Sequence, residues 1–183
     1  MKKDVVIRRG KHSDARAIAE IYAYTWQSAY KDILPKDVID EKINGIDEHA
    51  HSLSERQTLE KYILAEVGGK VVGVLTCGPS RNEKYSNCGE IIHIYVLANY
   101  QGMGIGKKLF LAGIENLISL GYNEMILDVI KENEKAIGFY KRMGGVVVDE
   151  RSELFGSQNI PISQFILKYD NLKKIYENNL EKL

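Results

Sequence analysis

The stretch Gln101-Gly102-Met103-Gly104-Ile105-Gly106-Lys107-Lys108 brings three glycines and two lysines into eight residues. Glycine lets a backbone turn tightly and approach a ligand with no Cβ in the way. The apolar run from Ile91 to Leu97 precedes this stretch, and Ile105, Leu109, Phe110, Ile114 and Leu117 follow at helical spacing. A strand therefore runs into a glycine loop, and the loop into a helix. The first helical turn leaves N–H groups without internal acceptors. Together with the helix field, Lys107 and Lys108, these groups suit a phosphate-bearing ligand. A tight turn or a close packing contact accounts for the glycines equally well. The dinucleotide fingerprint fails because Lys107 stands where its third glycine belongs. The P-loop pattern fails because no Gly-Lys-Ser/Thr follows four variable residues.

Other reactive side chains carry weaker signals. Trp26 and Tyr30 are four apart and share one side of a helix, as core packing or as the wall of a substrate groove. His49 and His51 lack further ligands at a recognisable spacing, so no metal is expected. Cys77 and Cys88 show neither metal spacing nor a disulfide framework, which suggests a reducing interior.

The 183 residues carry 25 basic and 25 acidic side chains, for a formal net charge of zero. Such a chain is most simply one domain with a good core. The balance argues against a general nucleic-acid binder but leaves room for a local basic pocket. The start, with only Val5-Val6-Ile7 apolar after its charges, does not read as a signal peptide, and no window approaches a membrane span. A cytoplasmic protein that neither enters membranes nor binds nucleic acid is expected. The eleven tyrosines suit an amphipathic groove or half-buried helix faces.

The elements that position these residues follow from pattern. Val5 to Arg8 reads as a strand, and Ser13-Asp14 as a cap for a helix whose face is Ile18, Ile21, Thr25, Ser28 and Ala29. Pro35 opens a second helix with Val38, Ile39 and Ile43, closed by Asn44-Gly45. Residues 45–60 are polar, with a turn or two of helix expected around Ser54-Glu55-Arg56 and Leu59. Tyr62 to Val67 and Lys70 to Leu75, joined by Gly68-Gly69, form a hairpin. A strand at 90–97, apolar on both faces, is expected to be central. A helix at about 104–119 ends at Gly121, and a strand follows from Glu124 to Ile130. The spacing makes the two strands parallel. Asn133 caps a helix from Glu134 to Met143, stopped by Gly144-Gly145. Val146-Val147-Val148 opens a strand, residues 153–161 are a loop, and Ile162 to Tyr169 is the last strand. The tail 171–183, with Leu172, Ile175, Tyr176, Leu180 and Leu183 at helical spacing, packs back, meets a second subunit in a homodimer, or frays. The pattern is mixed α/β with helices on a sheet, not a doubly wound fold.

With these elements placed, residues 4–169 resemble the GCN5-related N-acetyltransferase (GNAT) superfamily. Gln101-Gly102-Met103-Gly104-Ile105-Gly106 matches its Gln/Arg-x-x-Gly-x-Gly/Ala motif, and Ile94-Tyr95-Val96 looks like the end of its fourth strand. Asn133 with Ala136-Ile137-Gly138-Phe139-Tyr140 looks like its coenzyme A segment. Trp26 to Tyr30 followed by Ile33-Leu34-Pro35 resembles a subgroup that includes bacterial spermidine/spermine-acetylating enzymes. Gly145 stands where the family often has an aromatic or apolar residue, and Ala98-Asn99 where Pro or Glu is common.

The resemblance implies a three-layer fold. Its seven-stranded sheet is mostly antiparallel, with a parallel, splayed central strand pair and flanking helices. An acetyltransferase domain at 1–170 precedes the tail. The implied reaction is direct transfer from acetyl-CoA to a primary amine of a small molecule, with a polyamine as one candidate. A protein or peptide acetyltransferase and an inactive coenzyme A-binding domain are the alternatives. Gln101 to Gly106 and Lys107 would hold pyrophosphate, while Ile94, Tyr95 and Val96 would open backbone groups to the pantetheine and the developing oxyanion. Asn133 and Tyr140, two helical turns apart, would line the cofactor, with Tyr140 protonating the departing thiolate. The amine must lose a proton. Glu90 is the preferred base, through water, with His93 or water alone as alternatives. Trp26, Tyr30 and His93 are the candidate substrate contacts.

Overall fold

The computed structural model describes residues 4–157 and 159–180. Leu183 of the expected tail face and the first three residues of the chain start lie outside the described residues. One seven-stranded sheet runs β1-β2-β3-β4-β5-β7-β6 and mixes parallel with antiparallel neighbours. The backbone divides into two compact units. One is Met1–Thr76 with His93–Ala112, and the other is Cys77–Ile92 with Gly113–Leu183.

The first unit begins with β1 (Val5–Arg9), antiparallel to β2 (Tyr62–Val67), which in turn pairs antiparallel with β3 (Lys70–Pro79). Gly68 and Gly69 adopt φ of 58° and 80°, the left-handed pair that the expected hairpin turn requires. Helices α1 (Ala15–Tyr30), α2 (Lys36–Asn44) and α3 (Ile46–Ser54) follow β1 in the chain. Ile18, Ile21, Leu53, Leu59, Leu64 and Val74 are almost wholly buried in one cluster. Removal of these side chains from water is the main term holding the unit together. Ser28, expected on the buried face of α1, is exposed, and Thr25 is the last buried residue of that helix.

Two local expectations are corrected. Asp14 precedes α1, but its carboxylate makes no cap hydrogen bond to that helix. It accepts from Arg8 Nη1 and Nη2 at 2.7 and 2.9 Å and from the Lys11 N–H at 2.7 Å. The charged bonds to Arg8 outcompete a neutral cap. The third helix spans Ile46–Ser54 and stops where a turn of helix was expected to begin. Ile46 and Leu53, seven apart, are its buried ends, and the half-buried His49 and Ala50 complete the face.

In the second unit, β5 (Met125–Ile130) pairs antiparallel with β7 (Ile160–Tyr169), and β7 with β6 (Val146–Phe155). The loop expected at 153–161 is therefore mostly strand. Its pairing continues through Glu153↔Ile162, Leu154↔Pro161 and Phe155↔Ile160. Helix α5 (Glu134–Arg142) lies between β5 and β6 in the chain, and α6 (Leu172–Leu180) forms the tail. The Leu172 N–H donates to the Asn123 carbonyl at 2.9 Å, so the tail folds back onto its own unit.

Strand β4 (Gly89–Val96) is parallel to β5 through Gly89↔Met125 and Glu90↔Ile126, where the ladder ends. Helix α4 (Ile105–Ser119) connects these strands, as the βαβ spacing requires. It closes in a Schellman motif. Tyr122 N–H donates to Leu117 O at 3.0 Å and Gly121 N–H to Ile118 O at 2.9 Å, with Gly121 at φ 91°. Among the described residues, no helix is long and apolar enough to cross a membrane.

Candidate active site

Within the first unit, the glycine loop sits between the end of β4 and the start of α4. Gly102 and Gly104 take φ of 78° and 79°, conformations that side chains rarely adopt, and a Cβ at either would meet nothing within 4 Å. The glycines therefore serve the backbone path and leave open space beside it, rather than a packing contact. The first i→i−4 bond of the helix runs from Lys108 N–H to Gly104 O at 3.1 Å. The N–H groups of Ile105, Gly106 and Lys107 precede it and have no acceptor in the helix. Lys107 and Lys108 are half-buried at this end, and the preceding Met103 is exposed. This collection of N–H donors, helix field and cationic side chains suits an anion. Gln101, although exposed, is tied to the strand end, its Nε2 donating to the Val96 carbonyl at 2.9 Å.

Gly73 on β3 sets the height of the helix. A Cβ there would stand 2.9 Å from Leu109 Cδ1, 3.1 Å from Tyr95 O and 3.3 Å from Val96 Cγ2. Its absence lets α4 settle close to the strands that carry Tyr95 and Val96.

A cluster of rings lies between α1, α3 and β4. Trp26 Nε1 donates to the Tyr95 hydroxyl at 3.1 Å and packs edge-on to Tyr30 with centroids 5.5 Å apart. Tyr22 stands edge-on to Tyr95, His93 and His49 at 4.9, 5.0 and 5.4 Å. The hydroxyls of Tyr22 and Thr76 each lie 3.0 Å from His93 Nδ1. A single ring nitrogen offers one lone pair or one N–H, so the tautomer sets whether Nδ1 accepts from these hydroxyls or donates to them. Burial pushes the Tyr22 phenol well above its ordinary range, with Tyr62 adding to the effect, so Tyr22 stays neutral. His49 is held toward its neutral form by burial first, then by the charges of Arg56 and Lys42. The three sequence candidates Trp26, Tyr30 and His93 thus meet in one cluster. Sequence reasoning missed Tyr22 and Thr76. Tyr22 stands one helical turn before Trp26, a spacing that could have flagged it. Thr76 carries no local signal.

Within the second unit, Glu90 is almost wholly buried and accepts three hydrogen bonds from Arg81. They come from the backbone N–H at 2.7 Å, Nε at 3.1 Å and Nη2 at 2.6 Å. Asp128 on β5 pairs with Arg151 Nη2 at 2.5 Å, yet its Oδ1 is buried with no hydrogen-bond partner among the described residues. Burial, opposed by Arg151, pushes this carboxyl above its ordinary range. Neither Arg81 nor Asp128 was a sequence candidate.

Asn133 caps α5 as expected, its Oδ1 accepting from the Ala136 N–H at 3.1 Å. Tyr140 lies in the last turn of α5 and is buried. Its carbonyl accepts from the Tyr169 hydroxyl at 3.0 Å and from the Gly145 N–H at 3.0 Å. This explains the glycine at position 145. A Cβ there would lie 2.6 Å from Tyr169 Cζ and Oη, so the buried Tyr169 ring occupies the space that a larger residue would fill.

Residues 17–145 match the model of the acetyltransferase (GNAT) family. The chain belongs to that family. The matched span holds both the glycine loop and the Asn133–Tyr140 segment, and as a GNAT member the protein is an acetyl-CoA-dependent acyltransferase. The uncharacterized N-acetyltransferase YuaI of Bacillus subtilis is 27% identical over 152 residues, 83% of this chain and 87% of that one. A mycothiol acetyltransferase of Pseudarthrobacter chlorophenolicus is 35% identical over 85 residues, 45% of this chain but 26% of that protein. Among solved structures, the PaiA N-acetyltransferase of Thermoplasma acidophilum in complex with coenzyme A superposes with a TM-score of 0.70. It has 19% identity and covers 91% of this chain and 99% of that one. YncA of Salmonella typhimurium, a putative acetyltransferase with its cofactor acetyl-CoA, gives 0.64 at 20% identity, covering 91% and 93%. These two establish the likeness of fold.

Proposed function

We propose that this GNAT enzyme moves the acetyl group of acetyl-CoA to a primary amine of a small molecule by direct attack in a ternary complex. The observation that carries the reading is the loop Gln101 to Lys107. Two of its glycines are at positive φ, with open space where a Cβ would stand, at the unpaired start of α4. Gly102, Met103, Gly104, Ile105, Gly106 and Lys107 would take the pyrophosphate, and Ile94, Tyr95 and Val96 the pantetheine. Asn133 would contact the same donor.

In the reaction the ammonium gives one proton to a base, the freed lone pair attacks the thioester carbon, and the nitrogen's second proton is lost to solvent and replaces the one that Tyr140 gives up. The oxyanion formed is held by a backbone N–H near Val96. The C–S bond then breaks, and Tyr140 delivers a proton to the sulfur. For the base, the arrangement favours His93 over Glu90. Three donors from Arg81 occupy the Glu90 carboxylate, and taking a further proton would weaken all three. His93 lies in the ring cluster with Trp26 and Tyr30, its Nδ1 fixed by two hydroxyls.

The test is a thiol-release assay with acetyl-CoA across polyamines, amino acids, aminoglycosides and short peptides, beside calorimetry of acetyl-CoA binding. Tyr140→Phe should lower acetyl transfer roughly a hundredfold, the scale of a lost general acid, with donor affinity little changed. Equal turnover in mutant and parent removes the proposed role. Turnover of peptides alone favours the protein acetyltransferase reading, and binding without any transfer the inactive one.

A further inference from the structure

The ring cluster of the first unit carries two cations that the reaction above does not use. Lys42 Nζ lies 5.2 Å over the Trp26 ring, and Arg56 Nη1 donates to the Tyr62 hydroxyl at 3.1 Å. His49 feels the charge of both. Lys42, Arg56 and His49 are all half-buried.

Several acidic residues of this unit are engaged by other groups. Asp40 pairs with Lys36 and Asp47 with Arg16. Asp14 and Glu66 are both held by Arg8. Asp37 accepts from the Val38 N–H, and Glu41, Glu48 and Glu55 are exposed. Among the described residues, neither Lys42 nor Arg56 joins an ion pair. A cation half out of water whose partners are an aromatic face or a phenol is incompletely compensated. An anion arriving between them would complete it.

We infer that the acceptor is a small amine that also carries a carboxylate or phosphate, with Lys42 and Arg56 binding that anion beside the Trp26–Tyr22–His49 rings. The inference rests on the N-acetyl transfer reading and narrows its acceptor. It disfavours a polyamine, whose second ammonium would meet two like charges across a partly desolvated space.

The experiment compares kcat/KM for acceptors matched in length. The set is 5-aminopentanoate, pentylamine and 1,5-diaminopentane, with phosphoethanolamine and ethanolamine as a second pair. The aminocarboxylate or the aminophosphate should exceed its uncharged counterpart by roughly tenfold, and the diamine should fall below both. Whichever anion leads tells carboxylate from phosphate. Lys42→Met and Arg56→Met should each cut the preference for the anionic acceptor several-fold, chiefly through KM, while Lys42→Arg retains it and Lys42→Glu turns it toward the diamine. Lys173→Met, on the exposed face of α6, serves as the unchanged control.

A wild-type preference for the diamine, or an unaltered preference in both Met variants, overturns the inference and leaves N-acetyl transfer standing. Failure of the wild type to acetylate any amine overturns both.

Discussion

Gly145→Ala is expected to destabilise the second unit through a clash rather than through backbone strain. Gly145 is not among the residues of positive φ, so alanine can adopt its backbone. The new Cβ, however, would stand 2.6 Å from Tyr169 Cζ and Oη and 3.1 Å from the Tyr140 carbonyl. Tyr169 is wholly buried and cannot swing into solvent. Forcing one carbon into such a packed place costs about 1–3 kcal/mol. Displacing the ring also breaks the Tyr169–Tyr140 hydrogen bond of 3.0 Å, worth about 1 kcal/mol. The sum is about 2–4 kcal/mol, which lowers the melting temperature by roughly 5–15 °C in a chain of this size. Thermal unfolding followed by circular dichroism reads the shift. Tyr169→Phe gives an internal check. It removes the hydroxyl but leaves Cζ, so most of the Gly145→Ala penalty should persist in that background while the hydrogen-bond part disappears. An unchanged melting temperature for Gly145→Ala, or a penalty erased entirely by Tyr169→Phe, would refute the reasoning.

Gly104→Val should act on binding. Its φ of 79° strains a β-branched residue by about 1–2 kcal/mol, and the side chain would project into open space beside the loop. Calorimetry should show acetyl-CoA affinity reduced at least about tenfold, and unchanged affinity in a folded variant would remove the loop from the donor site. His93→Gln should lower kcat/KM about a hundredfold and flatten the acid limb of its pH profile, whereas Glu90→Gln should chiefly lower stability. The reverse pattern would restore Glu90 as base. The Arg8–Asp14 pair makes a signed pH prediction. The Arg8 guanidinium, assisted by the Lys11 N–H, holds the Asp14 carboxyl below its ordinary value against the opposing effect of burial. The stabilisation is therefore present above the ordinary carboxylate range, near about 3.9, and is lost as pH falls through the lower folded value. Asp14→Asn should cost about 1.5–3 kcal/mol at neutral pH and show a shallower acid loss in urea titrations. Parallel acid profiles for mutant and parent would contradict the assignment.

Local geometry decided what could be read ahead of the structure. The Gly68-Gly69 hairpin, the Gly121 stop and the Asn133 cap each depend on residues adjacent in sequence, and each formed as expected. Helix α3 escaped because its buried face alternates Ile46 and Leu53 with His49 and Ala50, too few apolar residues to announce a period. The full length of the β6–β7 hairpin escaped because Glu153, Gly156 and Asn159 look like loop until the pairing through Phe155↔Ile160 is known. The glycine loop was legible as a backbone device, but only its dihedral angles separate open space from a packing need. The ring cluster was half legible. Trp26 and Tyr30 share a helix, whereas Tyr22 meets His93 across 71 positions and Thr76 meets it across 17. Nothing local in the sequence encodes such meetings, and the same holds for the cations Lys42 and Arg56.

The hydrogen bond from Gln101 to the Val96 carbonyl has a kinetic consequence. It ties the first residue of the glycine loop to the strand end before any ligand arrives. A donor molecule then meets a cradle whose backbone has already given up its conformational freedom, so little ordering remains to slow capture. Association should be governed by encounter and orientation, and differences in affinity among acyl donors should appear mainly in how fast each departs. Severing the tie moves that ordering step into the binding event itself and slows arrival.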